Sequence, residues 1–303
     1  MKSKSTHAAL SEIRRQLWSG HASVMVGSGF SRNADRVSST IAYPPDWNAL
    51  GCGFVDRLYP NSDEDEKNEV LRRKNVLQLA QEFEAEFQRP ALNQYIKELI
   101  CDENLMPNNL FFRLLELPWN DVFTTNYDTL LERAAKTVAS QKYDVVYSCS
   151  DLAFSEPPRI IKLHGSFPSE ATPLIVTEED YRTYPIRYSP FVNTVQQTLM
   201  ESVLCLIGFS GTDPNFLKWI GWVRDNLGKS MPSIYLIGFM DLSDAERRVL
   251  EAKKIIPVDL TEFKGVGGQC GYSKAISNAL KFLEELPARA IFQRNSSRFR
   301  DSA

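Results

Sequence analysis

The stretch VMVGSGFSRNAD, residues 24–35, runs from an apolar, strand-like segment into Gly27 and Gly29 and then into a polar turn that carries Arg32. Glycines placed directly after a buried strand serve one of two ends. They let backbone amides approach a phosphate that a side chain would hold away, as in the first turn of a nucleotide-binding sheet, or they make a plain tight turn. The third glycine of the dinucleotide fingerprint is missing. Both readings stay open at this stretch, and the rest of the chain must choose.

Comparable apolar, β-branched runs lie at 22–26, 120–124, 144–147, 159–163, 203–208, 234–238 and 255–258. Several are too uniformly apolar for a sheet with one wet face. Leucine and alanine recur at helical spacing over 127–139, 215–227 and 243–254, the last opened by a capping box of Ser243 and Glu246. Strands alternating with helices predict an α/β fold with a doubly wound, Rossmann-like parallel sheet. From Asp46 to Leu117 there is no good strand candidate, only helix-like text such as EKNEVLRRKNVLQLAQEFEAEFQ. The interval 46–117 is therefore expected to be a helical module inserted in a domain of residues 1–285. Residues 286–303 read as a basic tail, either a frayed end or a docking segment.

Composition narrows the function classes. At 303 residues, 43% hydrophobic and 24% charged, with a net charge of −3, the chain has no global pull toward nucleic acid or an anionic surface. No direct nucleic-acid binding is expected. No apolar run approaches the roughly 20 residues that span a bilayer, and the first residues are charged and amphipathic, so a cytoplasmic protein without a membrane segment is expected. Five cysteines, odd in number and without a Cys-x-x-Cys pair, argue against a zinc ribbon and a disulfide framework. No metal is expected.

Three further strand ends carry chemistry. In FTTNYDTLLE (123–132) Thr125, Asn126 and Asp128 fall in the turn that opens the next helix; helix capping accounts for one of these side chains, not for all. In IIKLHGSF (160–167) His164 ends a buried strand and Gly165 follows at once. That break is expected to expose the imidazole at the sheet's edge, as a catalytic group or as a structural one. In LIGFSGTDPNF (206–216) Gly208 and Ser210 leave room for a ligand, whereas Asp213 before Pro214 reads as a helix cap.

In order, GSGFS, TTNYD, KLHGS and GFSGTDP resemble the sirtuin family of NAD-binding proteins, over about residues 20–260. PPDWNAL (44–50) and LIVTEEDY (174–181) are similar to its bacterial antiphage-defence branch. The zinc-binding cysteine pairs of the protein deacylases are missing, and the loop after GSGFS lacks their glycine-isoleucine-proline text. The resemblance implies an NAD hydrolase that cleaves the nicotinamide–ribose bond, latent until activated, with NAD as substrate and no metal. It implies that Gly27, Ser28, Gly29 and Ser31 hold the pyrophosphate, Phe30 covers the nicotinamide ribose, and Gly208 with Ser210 lines the adenosine side. Thr125 joins the binding set, Asn126 orients the ribose or the attacking water, Asp128 lies near the carboxamide, and His164 is the general base. It also implies a homo-oligomer and a defence partner subunit, either a HerA-type ATPase or a short Argonaute. Two alternatives remain: an NAD-dependent deacylase and a non-catalytic NAD or ADP-ribose sensor.

Overall fold

All seven apolar runs form strands, and they lie in one sheet. The computed structural model describes residues 6–167, 173–263 and 271–286; the expected basic tail beyond residue 286, and Cys270, lie outside them. The strands are β1 (Ala22–Val26), the two-residue β2 (Asp35–Arg36) and β3 (Leu105–Met106), then β4 (Asp121–Thr124), β5 (Asp144–Val146), β6 (Arg159–Lys162), β7 (Val203–Ile207), β8 (Ile234–Gly238) and β9 (Ile255–Asp259). The main sheet has the order β5-β6-β4-β1-β7-β8-β9 and every pairing in it is parallel. Parallel strands need crossovers that cover both faces, which is why their sequences are apolar on both sides.

The helices are α1 (Thr6–Trp18), the single turn α2 (Ser28–Ser31), α3 (Trp47–Leu58), α4 (Glu64–Arg73), α5 (Val76–Ile100), α6 (Asn109–Glu116), α7 (Leu130–Ala135), α8 (Glu178–Arg187), α9 (Ser189–Glu201), α10 (Pro214–Leu227), α11 (Asp244–Ala252) and α12 (Gly271–Glu284). Alternation along β1 sends Ala22, Val24 and Val26 into a core under α1, α6, α7 and α12, and Met25 into a second core with α9 and α10. Ser243 and Glu246 form the expected capping box of α11. None of the helices among the described residues is long and apolar enough to cross a membrane.

The 46–117 interval is helical with one exception. Leu105–Met106 pairs antiparallel with Asp35–Arg36 as a two-stranded ribbon, too short to leave a sequence signal. Helices α3 and α5 build a third core from Leu50, Phe54, Leu79, Phe83, Leu92 and Ile96, which meets the sheet body through Tyr127, Leu174 and Val176. Helix α6 belongs elsewhere: its Leu110, Phe111, Leu114 and Leu115 enter the first sheet core.

The path of the chain fixes where a ligand can sit. From β1 it moves to β4, on to the edge strand β5 and back to β6 between them, then crosses to β7 on the other side of β1 and runs outward to β9. Strand order thus reverses about β1, and the crevice of such a sheet opens at the carboxyl ends there. Register aligns those ends, because Val26 pairs with Thr124 and with Ile207, and Thr124 pairs with Lys162. Residues 27, 125, 163 and 208 consequently leave the sheet side by side.

Candidate functional site

Gly27 and Gly29 answer first to each other's neighbours. The Gly27 amide donates to Ile207 O at 3.1 Å and the Gly29 amide to Gly208 O at 3.0 Å, while Phe30 N donates back to Gly27 O at 2.9 Å. A Cβ on Gly27 would stand 2.4 Å from Gly208 O, and one on Gly208, whose φ is +63°, would stand 2.1 Å from Phe30 N. The glycines therefore let two strand-end loops interlock backbone to backbone. The collision a side chain would cause is with the opposite loop, and the amides of residues 27, 29 and 30 are committed within the protein.

The turn after β4 is held from three sides. Thr124 Oγ1 donates to Val26 O at 2.8 Å and accepts from the Asn126 amide at 3.0 Å. Asn126 Nδ2 donates to Ser31 Oγ at 2.9 Å, and Ser31 Oγ donates on to Asp128 Oδ2 at 2.8 Å. Asp128 Oδ1 accepts the Leu130 amide at 3.2 Å, an Asx turn one residue ahead of Thr129, which is the N-cap of α7 and makes no side-chain cap bond. Helix α7 starts only at Leu130, later than its apolar spacing suggests, because Asn126 and Asp128 are held in this turn and Asp102 holds Thr129 N at 2.8 Å. Burial pushes the Asp128 carboxyl up from its ordinary value, opposed by the Lys162 charge and the Ser31 hydrogen bond.

Lys162 and Glu132 were not singled out by the sequence reading. Lys162, 1% exposed, pairs with Glu132 at 3.0 Å and donates to Asp128 O, and Ser166 Oγ donates to Glu132 Oε1 at 3.3 Å. A lysine inside the apolar run IIKLH was the available signal, since a buried ammonium has to find a carboxylate.

Two expected site residues lie elsewhere. Phe30 is fully buried, edge-on to Phe111 at 4.8 Å between ring centroids in the first core, so it covers no ribose in this structure. The turn of α2 points it inward while Ser31 meets Asn126 and Asp128. His164 is also 0% exposed, against the expectation of an imidazole open at the sheet's edge. Gly165, with φ +85°, allows residues 173–174 to close over this turn: a Cβ there would be 2.8 Å from Pro173 O, and Ile175 N donates to His164 O at 3.0 Å. Tyr181 and Tyr184 of α8 stand edge-on to the imidazole at 5.3 and 5.6 Å. Among the described residues neither ring nitrogen has a hydrogen-bond partner. Burial holds the His164 pKa below its ordinary value, with Asp213 and Asp180 opposing, and the ring is neutral at physiological pH.

A cleft of about 610 Å³ opens over these strand ends, within the range of small-molecule sites. One wall is the sheet edge, with Gly27, Ser28 and Gly29, Thr125, Asn126 and Asp128, and Gly208 and Ser210. The other is helical, with Pro44 to Asn48, Asn75 to Leu77, Ile96 and Ile100. Of the expected residues, Phe30, Ser31 and His164 do not line it. Arg32, Asp46, Trp47, Tyr181 and Asp213 do, and none of them was selected from the sequence as a ligand contact. Asp213 is the α10 cap, accepting Phe216 N at 2.9 Å, and it also accepts the Tyr181 hydroxyl at 2.8 Å. Tyr181 thus stands between His164 and the cleft. No group of three or more His, Cys, Asp or Glu side chains among the described residues is placed to hold a metal ion.

This geometry can be set beside known proteins. The NAD(+) hydrolase ThsA of Bacillus cereus (strain MSX-D12) is 27% identical over 223 residues, 71% of this chain and 42% of that protein. The NAD(+) hydrolase ThsA of Acinetobacter baumannii (strain 532279) is 30% identical over 129 residues, 41% of this chain and 26% of that protein. The chain spans less than half the length of these curated relatives. A crystal structure of a Sir2 homologue–NAD complex is similar at 13% identity and a TM-score of 0.45, over 90% of this chain and 92% of that one. The family model for the SIR2-like domain matches residues 120–258, from β4 through β9, a span that contains the 126–128 turn, His164 and the Gly208 loop.

Proposed function

We propose that this chain is an NAD hydrolase that cleaves the bond between nicotinamide and ribose, giving nicotinamide and ADP-ribose, and that depletes NAD in antiphage defence. The observation that carries the reading is the convergence of three strand-end turns, at 27–29, 125–128 and 208–210, on one cleft at the switch point of the sheet. Relatives named NAD(+) hydrolase support it. Nicotinamide leaves NAD as a neutral ring, so the reaction needs position and polarity more than a strong acid. Asn126 and Asp128, fixed through Ser31, are the groups that orient the ribose, the carboxamide and the attacking water. His164 takes the proton that water loses as its oxygen bonds to the ribose carbon.

His164 lies behind Tyr181, so its service as base requires the cleft floor to open. Activation by a homo-oligomer or by a defence partner subunit, a HerA-type ATPase or a short Argonaute, is the step assigned to that opening, in a cytoplasmic setting where NAD is at hand. The same buried imidazole favours a second reading, a sensor that binds NAD or ADP-ribose without turning it over.

Nicotinamide release from NAD by the full chain, without any acylated peptide and with or without lysate of infected cells, tests the choice. Release in equal amount with ADP-ribose is expected. Dependence on an acylated peptide would make it a deacylase, and binding without product in every assembled state would make it a sensor.

A further inference from the structure

The cleft carries an imbalance of charge. Among the described residues that line it, Arg32 is the one cation, against the carboxylates of Asp46, Asp128 and Asp213. Arg32 follows directly on the glycine loop as the C-cap of α2. Its guanidinium reaches across the mouth to Asp46, Nη1 to Oδ2 at 3.3 Å, with the two side chains 49% and 50% exposed. Asp46 does two jobs at once, because its other oxygen accepts Ala49 N at 2.9 Å and caps α3.

A diphosphate finds several of the loop amides here already taken. The amides of Gly27, Gly29 and Phe30 already bond to Ile207, Gly208 and Gly27 carbonyls, so much of the anion-binding capacity expected of a glycine loop is committed within the protein. A planar fork of donors is the group best suited to replace it. The ion pair it now makes is exposed and therefore weak, of the kind that a doubly charged ligand displaces at small cost.

We propose that Arg32 is the anion handle of this cleft, taking the diphosphate of a nucleotide, and that Asp46 is a built-in competitor that holds the handle until the ligand displaces it. This deepens the NAD reading, on which the identity of the nucleotide rests. The two partners must then act in opposite directions. Removing Arg32 weakens binding of a diphosphate, whereas removing the Asp46 charge strengthens it.

The test is calorimetric titration of the full chain with ADP-ribose and, separately, with inorganic pyrophosphate, for the native protein and for Arg32→Gln and Asp46→Asn. Asparagine caps helices as well as aspartate does, so Asp46→Asn removes the competitor and leaves α3 capped. The expected outcome is a loss of about tenfold or more in affinity for both probes with Arg32→Gln. Asp46→Asn should gain about two- to fivefold, with the gain shrinking as salt is raised. Melting temperatures near the native value would show that the fold is intact.

Unchanged affinity in Arg32→Gln, or a loss or no change in Asp46→Asn, overturns the proposal even if ADP-ribose binds and the NAD reading stands. Arg32-dependent binding of pyrophosphate with no binding of ADP-ribose would uphold the handle and sink the NAD reading. If the native chain binds neither probe, both fall.

Discussion

Two neighbouring strands end in polar residues that the sequence presents alike, and the structure treats them oppositely. After β4, Asn126 and Asp128 are buried and tied into a chain of bonds through Ser31, Leu130 N and Lys162. After β6, His164 is equally buried, and among the described residues its two ring nitrogens have no partner. A buried polar group left unpaired costs about 1–3 kcal/mol. The first turn is thus a framework, stable as it stands. The second holds its imidazole against the rings of Tyr181 and Tyr184 without any such bonds.

The widest separation between the two turns should appear in activity. His164→Ala is expected to lower nicotinamide release from NAD by about 10²–10⁴-fold under conditions where the native chain is active. A variant that released nicotinamide at the native rate would remove His164 from the reaction. The next effect is on stability and has the opposite pattern. Ser31→Ala removes the donor to Asp128 and the acceptor of Asn126 together, leaving two buried polar groups short of partners, and is expected to cost about 2–4 kcal/mol by urea denaturation. A loss of only a few tenths would mean that the β4 turn does not depend on this network.

His164→Leu should do the reverse, gaining about 1–2 kcal/mol by replacing unpaired nitrogens with apolar atoms of similar bulk. It also changes the response to pH. Burial holds the His164 pKa below its ordinary value, so the unfolded chain takes up a proton near pH 6.5 that the folded chain refuses until lower pH. That contribution to stability is fully present above about pH 6.5 and is lost as the pH falls toward the folded value. Between about pH 7 and pH 5 the native protein should therefore lose more stability than His164→Leu, measured by urea midpoints at each pH. Parallel profiles would show that His164 titrates normally and is not sealed.

How much of this was readable in the sequence follows from the range of the forces involved. The seven strands were legible because two-faced burial writes itself as short apolar runs such as VLCLI and IYLIG. The register that lines up residues 27, 125, 163 and 208 was not written locally, yet it followed from parallel pairing once the strands were known. The cleft residues at the strand ends were legible for the same reason. The burial of His164 was not, because what covers it comes from 173–176 and from Tyr181 and Tyr184 of α8, a helix whose period is obscured by Pro185 inside it. Phe30 and Ser31 were read as neighbours on one loop; the turn of α2 sends them to opposite duties. The partners of Arg32 and Lys162 likewise lie 14 and 30 residues away in the chain, beyond any local pattern.

The smallest expected effect bears on Tyr181, which packs on His164. Tyr181 lines the cleft, stands edge-on to His164 and donates its hydroxyl to Asp213 at 2.8 Å. Tyr181→Phe keeps the ring and removes that bond, at an expected cost of about 1 kcal/mol, since Asp213 still caps α10 through Phe216 N. Its consequence for access is more telling than its cost. His7 and His21 are exposed, so an acylating reagent for neutral imidazoles should label both in the native chain and spare His164. If the hydroxyl bond is what keeps the Tyr181 ring in place, Tyr181→Phe should let His164 be labelled measurably faster than in the native chain, scored by peptide mapping. Tyr181→Ala, which removes the ring, should label it faster still. Native-like protection in Tyr181→Ala would show that the 173–176 segment and Tyr184 seal the imidazole without help, and the opening required for catalysis would then have to begin at α8 rather than at one side chain.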